Sequence, residues 1–400
     1  MKPALICSAV RTAIGGFGGA LAEVSPVDLG ALVTRDALRQ AGLDDPQGAP
    51  VNEVIIGNVL GAGHGMNLAR QICLKSGLGV STSAYTVNKV CGSGLKAITL
   101  GATEIAIGGA DCVVAGGTES MSQAAFVSLS TRWGSRLGNA ELKDLILADG
   151  LTDAFHSCHM GITAENLAEK YEISREHQDQ FALESQSKAQ AALEQGHFKS
   201  EITPVPLFKR GKEIGRFEVD EHPRKGTTLE TLSALRPAFK KDGTKAGTVT
   251  AGNASGINDG AAAVVLASEG FATRHNLKPI AEIVAWASGA VEPAVMGIGP
   301  VEAVKKLMQR TSIPLESVDL IEANEAFASQ ALAVNKLLGW DTQKVNVCGG
   351  AIALGHPIGA SGARILVTLV HQLRRTNKKI GIATLCVGGG QGIAALVRLL

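Results

Sequence analysis

Four hundred residues, 45% of them hydrophobic, are more than a single core usually organises, so two or more domains are expected. With 38 Lys and Arg against 37 Asp and Glu the net charge is +1, which leaves no electrostatic case for a nucleic acid or an anionic membrane as partner. No apolar run is expected to reach the roughly 18–20 residues that span a bilayer, and the first apolar stretch is too short for a signal peptide. Forty-eight glycines beside ten Phe, three Trp and two Tyr suit the tight turns of an α/β protein. Seven scattered cysteines with no CxxC pair argue for a reducing compartment, the cytoplasm.

Residues 4–10 read as a first strand that feeds a Gly-rich turn at 15–19. Ser25-Pro26 opens a helix running to about Gln40, with Pro at a tolerated first-turn position. A strand at 51–58 and a helix at 67–76 follow. Next, Val87-Asn88-Lys89-Val90-Cys91-Gly92-Ser93-Gly94-Leu95 turns from extended to helical at a cysteine, and Leu95, Ile98 and Ile105 form the helix's apolar face. Residues 111–117 are a buried strand, so strands and helices alternate around a parallel or mixed sheet. From 121 to 247 the texture becomes polar and mixed. Helical spacing marks 162–171 and 174–195, the second capped by Ser174, while 208–245 reads as a basic, irregular excursion. Order returns at 249–266, where Gly252-Asn253-Ala254-Ser255-Gly256 is a second Gly-rich turn before 260–265.

From 279 onward the chain repeats itself. Pro300-Val301-Glu302 parallels Pro26-Val27-Asp28, and the strand ending at Asn324 parallels the one ending at Asn58. Cys91-Gly92-Ser93-Gly94 has its counterpart in His356-Pro357-Ile358-Gly359, and 111–117 in 381–390. Features in the same order at nearly equal spacing indicate an internal duplication. Two similar half-domains packed about a pseudo-twofold axis would bring Cys91 and His356 face to face.

That pairing has chemical consequences. A cysteine at a helix N-terminus is expected to have a lowered pKa, and a nearby imidazole to accept its proton, which makes an acyl-transfer nucleophile. Cys386 would end a strand at the same pole, ahead of a Gly388-Gly389-Gly390 turn whose bare N–H groups suit an oxyanion. Asn324 adds an amide. Taken singly, His356 before Pro reads equally as a turn residue, Cys386 as a core thiol and Asn324 as a helix cap. Cys91, His356 and Cys386 lack a fourth ligand at close spacing, so no metal is expected.

Six ordered motifs then carry a resemblance over essentially the whole length: Asn88-Lys89-Val90-Cys91-Gly92-Ser93-Gly94, His159-Met160-Gly161, Gly252-Asn253-Ala254-Ser255-Gly256, Asn324-Glu325-Ala326-Phe327, Gly355-His356-Pro357 and Cys386-Val387-Gly388-Gly389-Gly390. The chain resembles the thiolases, in particular their short-chain, acetyl-transferring branch. The resemblance implies a five-layer αβαβα fold of class α/β, built from two duplicated half-domains plus an inserted loop domain. The N-terminal half would take 1–120 and 248–270, the loop domain that binds coenzyme A (CoA) 121–247, and the C-terminal half 271–400. It further implies a ping-pong condensation of two acetyl-CoA to acetoacetyl-CoA, and its reverse, through an acetylated Cys91.

In that scheme His356 activates Cys91, Cys386 removes the α-proton, and Asn324 holds a water beside the enolate oxygen. The tetrahedral oxyanion takes the N–H groups of Cys91 and Gly388. His159 and Ser255 meet the pantetheine arm, Met160, Met296 and Phe327 line the acyl pocket, and Arg224 contacts the ADP portion. CoA thioesters are the substrates, with no permanently bound cofactor. A homo-oligomer is implied, a tetramer ahead of a dimer, with 123–143 resembling the loop that ties dimers together. The family usually has Asn at the position of Cys348, so an extra thiol is expected near the site. A 3-ketoacyl-CoA thiolase of fatty-acid degradation with broader chain length is the alternative, and a non-catalytic acyl-CoA binder or thiol redox protein a remote one.

Overall fold

The computed structural model describes residues 2–43, 50–239 and 247–400. In chain order its main elements are β1 (Ala4–Arg11), α1 (Pro26–Ala41), β2 (Glu53–Gly57), α2 (Leu68–Lys75), β3 (Ser83–Val87), α3 (Ser93–Ile107) and β4 (Cys112–Ser120). An excursion carries α4 (Met160–Lys170) and α5 (Arg175–Glu194). There follow β5 (Asn258–Ala267), β6 (Ala281–Ala290), α6 (Gly299–Thr311), β7 (Leu320–Ala323), α7 (Ala328–Leu338), α8 (Ile358–Thr376), β8 (Ile380–Val387) and β9 (Gln391–Leu399).

Strand order makes the duplication visible. Outward from the centre the N-terminal half runs β1-β5-β4-β2-β3 and the C-terminal half β6-β9-β8-β7. Val345 makes a parallel bridge to Ile321 where the second half would have its fifth strand. In both halves the innermost pairs are antiparallel and the outer ones parallel. The halves join where β1 pairs antiparallel with β6 over Ala4, Leu5 and Ile6, so the axis passes through the molecule's middle.

Five layers follow from which faces are apolar. Helices α1 and α2 cover the outer face of the first half-sheet, and α6 the outer face of the second. Between the half-sheets lie α3 and α8, whose Leu95, Ile98, Leu366 and Leu369 share one core with both inner faces. Residues 90–107 have the length and apolarity of a membrane span, which corrects the expectation that no run reaches that length. Enclosure in the central layer accounts for that apolarity.

Helix α8 is buried from Ile358 to Leu373, although Ser361, Arg364, Thr368 and His371 form a polar stripe at helical spacing. The stripe meets polar partners: Arg364 pairs with Glu322 at 3.4 Å although its Nε has no partner among the described residues, Thr368 donates to Glu201, and His371 meets Ala9 O and Ser200. Glu201 also takes Arg11 Nε at 2.5 Å, while the other two guanidinium nitrogens lie 2.7 and 2.9 Å from Asp220. Arg11 is fully buried and stacked over Phe198, so it fastens β1, the excursion and α8 together.

The basic stretch after 204 is less irregular than expected. Val205–Lys209 and Lys212–Phe217 form an antiparallel hairpin through Arg210 and Gly211, both at positive φ as a two-residue turn of this hand requires. Leu229–Ser233 is a short helix with a capping box, and residues 240–245 of that expectation lie outside the described residues.

Removing one partner from a buried ion pair strands the other. Asp220→Ala is therefore expected to cost about 3–5 kcal/mol in chemical denaturation. A loss under about 1 kcal/mol would show that Arg11 finds other partners.

Candidate active site

The turn that presents Cys91 is braced on both sides. Val90 sits at φ 46°, a region a β-branched residue rarely adopts and one that costs about 1–3 kcal/mol. Three bonds hold it there: Val90 N–H donates to Asn88 Oδ1 (2.9 Å), Lys89 N–H to Ser93 Oγ (2.8 Å), and the Ser93 hydroxyl to Val90 O (2.6 Å). Cys91 thus precedes α3, and its thiol receives the N–H groups of Gly388 and of Cys91 itself. The expected lowering of its pKa is overturned. Burial pushes the thiol up to about 11, and Glu119 adds to the effect, while the two N–H donors pull it down by less. Loss of water outweighs the helix terminus.

His356 is held from three directions. Its N–H donates to Asn258 Oδ1 at 2.9 Å, and Nδ1 lies 2.6 Å from Ser361 Oγ. Because the Ser361 hydroxyl gives its only proton to Pro357 O at 2.9 Å, it accepts from Nδ1–H. That fixes the tautomer and leaves Nε2 as a lone pair, 3.4 Å from Asn324 Nδ2. Burial, with Arg364 beside it, holds the imidazole down to about 3, so it is a neutral base at physiological pH. Asn324 Oδ1 is buried and has no partner among the described residues, an acceptor open to a small polar ligand.

Cys386 ends β8, 1% exposed, its thiol raised above the ordinary range by burial and by the neighbouring Cys91. After it, Gly389 and Gly390 take φ of 82° and 84°, a turn that leaves the Gly388 N–H facing Cys91. Ile358, two residues after His356, lies in the same apolar cluster as Cys91. Cys91, Gly388, Cys386, Asn324 and His356 are thus brought to one pole of the two halves.

The predicted acyl-pocket residues also converge. Met160, Met296 and Phe327 are buried with Cys386 in a single cluster. His159 caps α4, its Nδ1 accepting from Gly161 N–H at 3.0 Å, and its ring stacks 4.6 Å from that of Phe239, which meets Phe327 edge-on at 6.5 Å. A Cβ on Gly161 would stand 2.3 Å from the Phe239 ring, so only glycine admits this stack. Ser255 N–H donates to Ala326 O, and Ala254 bridges to Phe327, which zips the Gly252–Gly256 loop onto the Asn324 motif. Arg224 stands apart from the thiols. It lines a cavity of about 240 Å³ with Gln186, His222, Leu235 and Gly252, its N–H donating to Gln186.

Cys348 corrects an expectation. Rather than adding a thiol to the site, it packs among Ala189, Ala192, Phe198 and Leu354, its sulfur 3.7 Å from His197 Nδ1. The loop's polar anchoring falls to Asn346, which accepts from Ala323 N–H and donates to Ala323 O and Glu325. Ser361, Asn258 and Glu119 were not singled out from the sequence. Ser361 carries a signal in retrospect, since residues i and i+5 flanking a helix start meet across its first turn.

Comparison with known proteins gives two family matches, "Thiolase, N-terminal domain" over residues 4–270 and "Thiolase, C-terminal domain" over 277–399. An acetyl-CoA acetyltransferase of Pseudomonas aeruginosa is 56% identical over 394 residues, covering 98% of each chain. One from Escherichia coli K12 is 56% identical over 401 residues, covering all of both. The crystal structure of the Bacillus anthracis acetyl-CoA acetyltransferase superposes with a TM-score of 0.96 at 45% identity, covering 100% of this chain and 99% of that one.

Two routes to a reactive Cys91 differ in pH dependence. A free thiolate makes alkylation climb about tenfold per pH unit below the thiol pKa, whereas transfer to an imidazole already neutral gives a flat rate. Alkylation by iodoacetamide, followed by mass analysis, is expected to be flat between about pH 6 and 9 in the parent and to climb in His356→Ala. A tenfold-per-unit climb in the parent contradicts the base assignment.

Proposed function

The chain belongs to the thiolase family, and from that premise we propose that it is an acetyl-CoA C-acetyltransferase, condensing two acetyl-CoA to acetoacetyl-CoA and catalysing the reverse thiolysis. The observation that carries the reading is the thiol of Cys91 under two N–H donors, with a neutral imidazole and a second thiol at the same pole.

The proton sequence closes without an outside acid or base. Cys91 Sγ attacks the thioester carbonyl as its proton passes to His356 Nε2, and the oxyanion takes the N–H groups of Cys91 and Gly388. Collapse expels CoA thiolate, which takes the Cys386 proton and leaves as CoA. Cys386 is now a thiolate in a buried site, a strong base that the His356 imidazolium partly offsets. It removes the α-proton of a second acetyl-CoA. The enolate oxygen faces Nε2–H and a water held by Asn324, and its carbon attacks acetyl-Cys91. Collapse of the second tetrahedral intermediate expels Cys91 thiolate, which recovers its proton from His356. Acetyl-CoA and CoA are substrates and products, and the chemistry calls for no resident cofactor.

The finer parts of the reading rest on separate supports. Met160, Met296 and Phe327, packed around Cys386, favour a short acyl chain. The pantetheine arm runs past His159 and Ser255 toward Arg224, whose charge suits the ADP phosphates. Two working thiols favour a reducing compartment, the cytoplasm, and the reaction suits fatty-acid metabolism. A homotetramer is favoured by the exposed Phe126, Leu129, Trp133, Leu137 and Leu142 on the excursion after β4.

Incubation with acetyl-CoA and mass analysis is the direct test. The parent is expected to gain one acetyl group and form acetoacetyl-CoA, Cys91→Ala to gain none, and Cys386→Ser to acetylate while condensing at least about 100-fold more slowly. Acetylation that persists without Cys91 would sink the mechanism. Light scattering at micromolar concentration is expected to give four times the chain mass, and a value of twice the chain mass would assign the dimer.

A further inference from the structure

The catalytic histidine belongs to the second half of the chain and the nucleophile to the first, so something must set the distance between them. Besides the apolar seat of Ile358, the segment from His356 to Gly359 is hydrogen-bonded to the first half by two side chains. His356 N–H donates to Asn258 Oδ1, and Gly359 N–H donates to Glu119 Oε2, each at 2.9 Å. Asn258 starts β5 and Glu119 lies near the end of β4, adjacent strands in which Asp259 faces Ser120.

Neither side chain is a casual contact, since both are fully buried. Asn258 Nδ2 donates to Gly15 O at 2.9 Å, which anchors it to the start of the chain. Gly355, at φ 102°, passes so close that a Cβ there would stand 2.5 Å from Asn258 Cγ. Glu119 accepts three further bonds, from Asn58 Nδ2 (2.8 Å), Val59 N–H (3.0 Å) and Leu60 N–H (3.2 Å). Val59 and Leu60 belong to the apolar cluster that receives Cys91, so the carboxyl that grips the start of α8 also fixes a wall of the nucleophile's pocket.

We propose that Glu119 and Asn258 are positioning residues that clasp the His356–Gly359 segment to the first half and thereby set the approach of His356 to Cys91. Neither touches reacting atoms. The inference rests on reading His356 as the base. Among the described residues, the charge of Asp259 acts on Glu119 from the opposite face of the sheet and that of Glu119 on Cys91, while Arg364 acts on His356 and Asn324 Nδ2 lies 3.4 Å from its Nε2.

A double-mutant cycle reads the coupling. Iodoacetamide alkylation of Cys91 at pH 7 is measured in the parent, Glu119→Gln, His356→Ala and the double variant. Glu119→Gln is expected to slow the reaction at least about tenfold in the parent background and less than about twofold in His356→Ala, because a positioning residue acts only through the group it positions. Equal losses in both backgrounds overturn the proposal, as does an acceleration, which would mean that the Glu119 charge acts on the thiol directly. Asn258→Ala is expected to behave like Glu119→Gln, and Asn258→Asp, which keeps the acceptor for His356 N–H, to recover part of the rate. Amide exchange reads the clasp independently of any chemistry. Gly359 N–H in Glu119→Gln and His356 N–H in Asn258→Ala are expected to exchange at least about tenfold faster than in the parent, and unchanged exchange overturns the proposal. Failure of the parent to make acetoacetyl-CoA would instead count against the enzymatic reading.

Discussion

The close approach of α3 to α8 is the contact on which the rest depends. A Cβ on Gly94 would stand 2.7 Å from Ala363 N, and one on Gly362 2.5 Å from Leu95 N. These are one contact seen from the two halves, made possible because each helix lacks a side chain where it meets its twin. Both helices start at the same pole, so the turns ahead of them, one bearing Cys91 and the other His356, are brought together by backbone packing. A side chain at either glycine would push the helices apart and separate nucleophile from base before altering any catalytic atom.

Burial governs the chemistry of the pole more than charge does. Cys91 and Cys386 are raised, and His356 is held down, each mainly by loss of water. The resting site is therefore neutral at its three working groups. In the proposed mechanism charge arises there only as the reaction proceeds, and the donors proposed to meet it are already fixed: the N–H groups of Cys91 and Gly388 for a tetrahedral oxyanion, and Nε2–H once His356 has taken a proton. Such an arrangement needs no reorganisation at the moment charge develops. It also explains why the tautomer is set so firmly through Ser361 and Pro357, since a mobile imidazole would lose the one lone pair the first step uses.

How far the chain could be read beforehand depended on whether the signal was local. That Cys91, His356 and Cys386 meet at one pole was legible because the halves repeat, and the helix starts at Ser25-Pro26 and Ser174 because a first-turn Pro and an N-cap hydroxyl are local features. The hairpin from Val205 to Phe217 was missed because its strands pair only with each other and expose most of their side chains, which leaves little apolar alternation beyond Val205 and Leu207. The direction of the Cys91 shift was missed for a different reason. A helix terminus can be read from sequence, but the water that surrounding elements remove cannot. Cys348 and Asn346 lie two residues apart on one loop, and only the packing of α5 shows which faces the core and which anchors the loop.

The two halves diverge at one equivalent strand position. Gly57 pairs with Gly117, and Ala323 with Thr384, so Asn58 and Asn324 follow equivalent strand ends. Two residues beyond Gly117 stands Glu119, and two beyond Thr384 stands Cys386, each opposite a glycine, Gly260 and Gly392. The same scaffold position therefore carries a carboxyl in the first half and a thiol in the second. Glu119 accepts the N–H groups of Val59, Leu60 and Gly359 and so occupies those donors with a group of the protein itself. Burial raises it to about 7, against the pull of those donors, so its hold is sensitive to its charge. Cys386, smaller than a carboxylate, stands beside Cys91 at the equivalent position, so one side-chain difference puts a clasp on the His356–Gly359 segment in one half and a second thiol in the other.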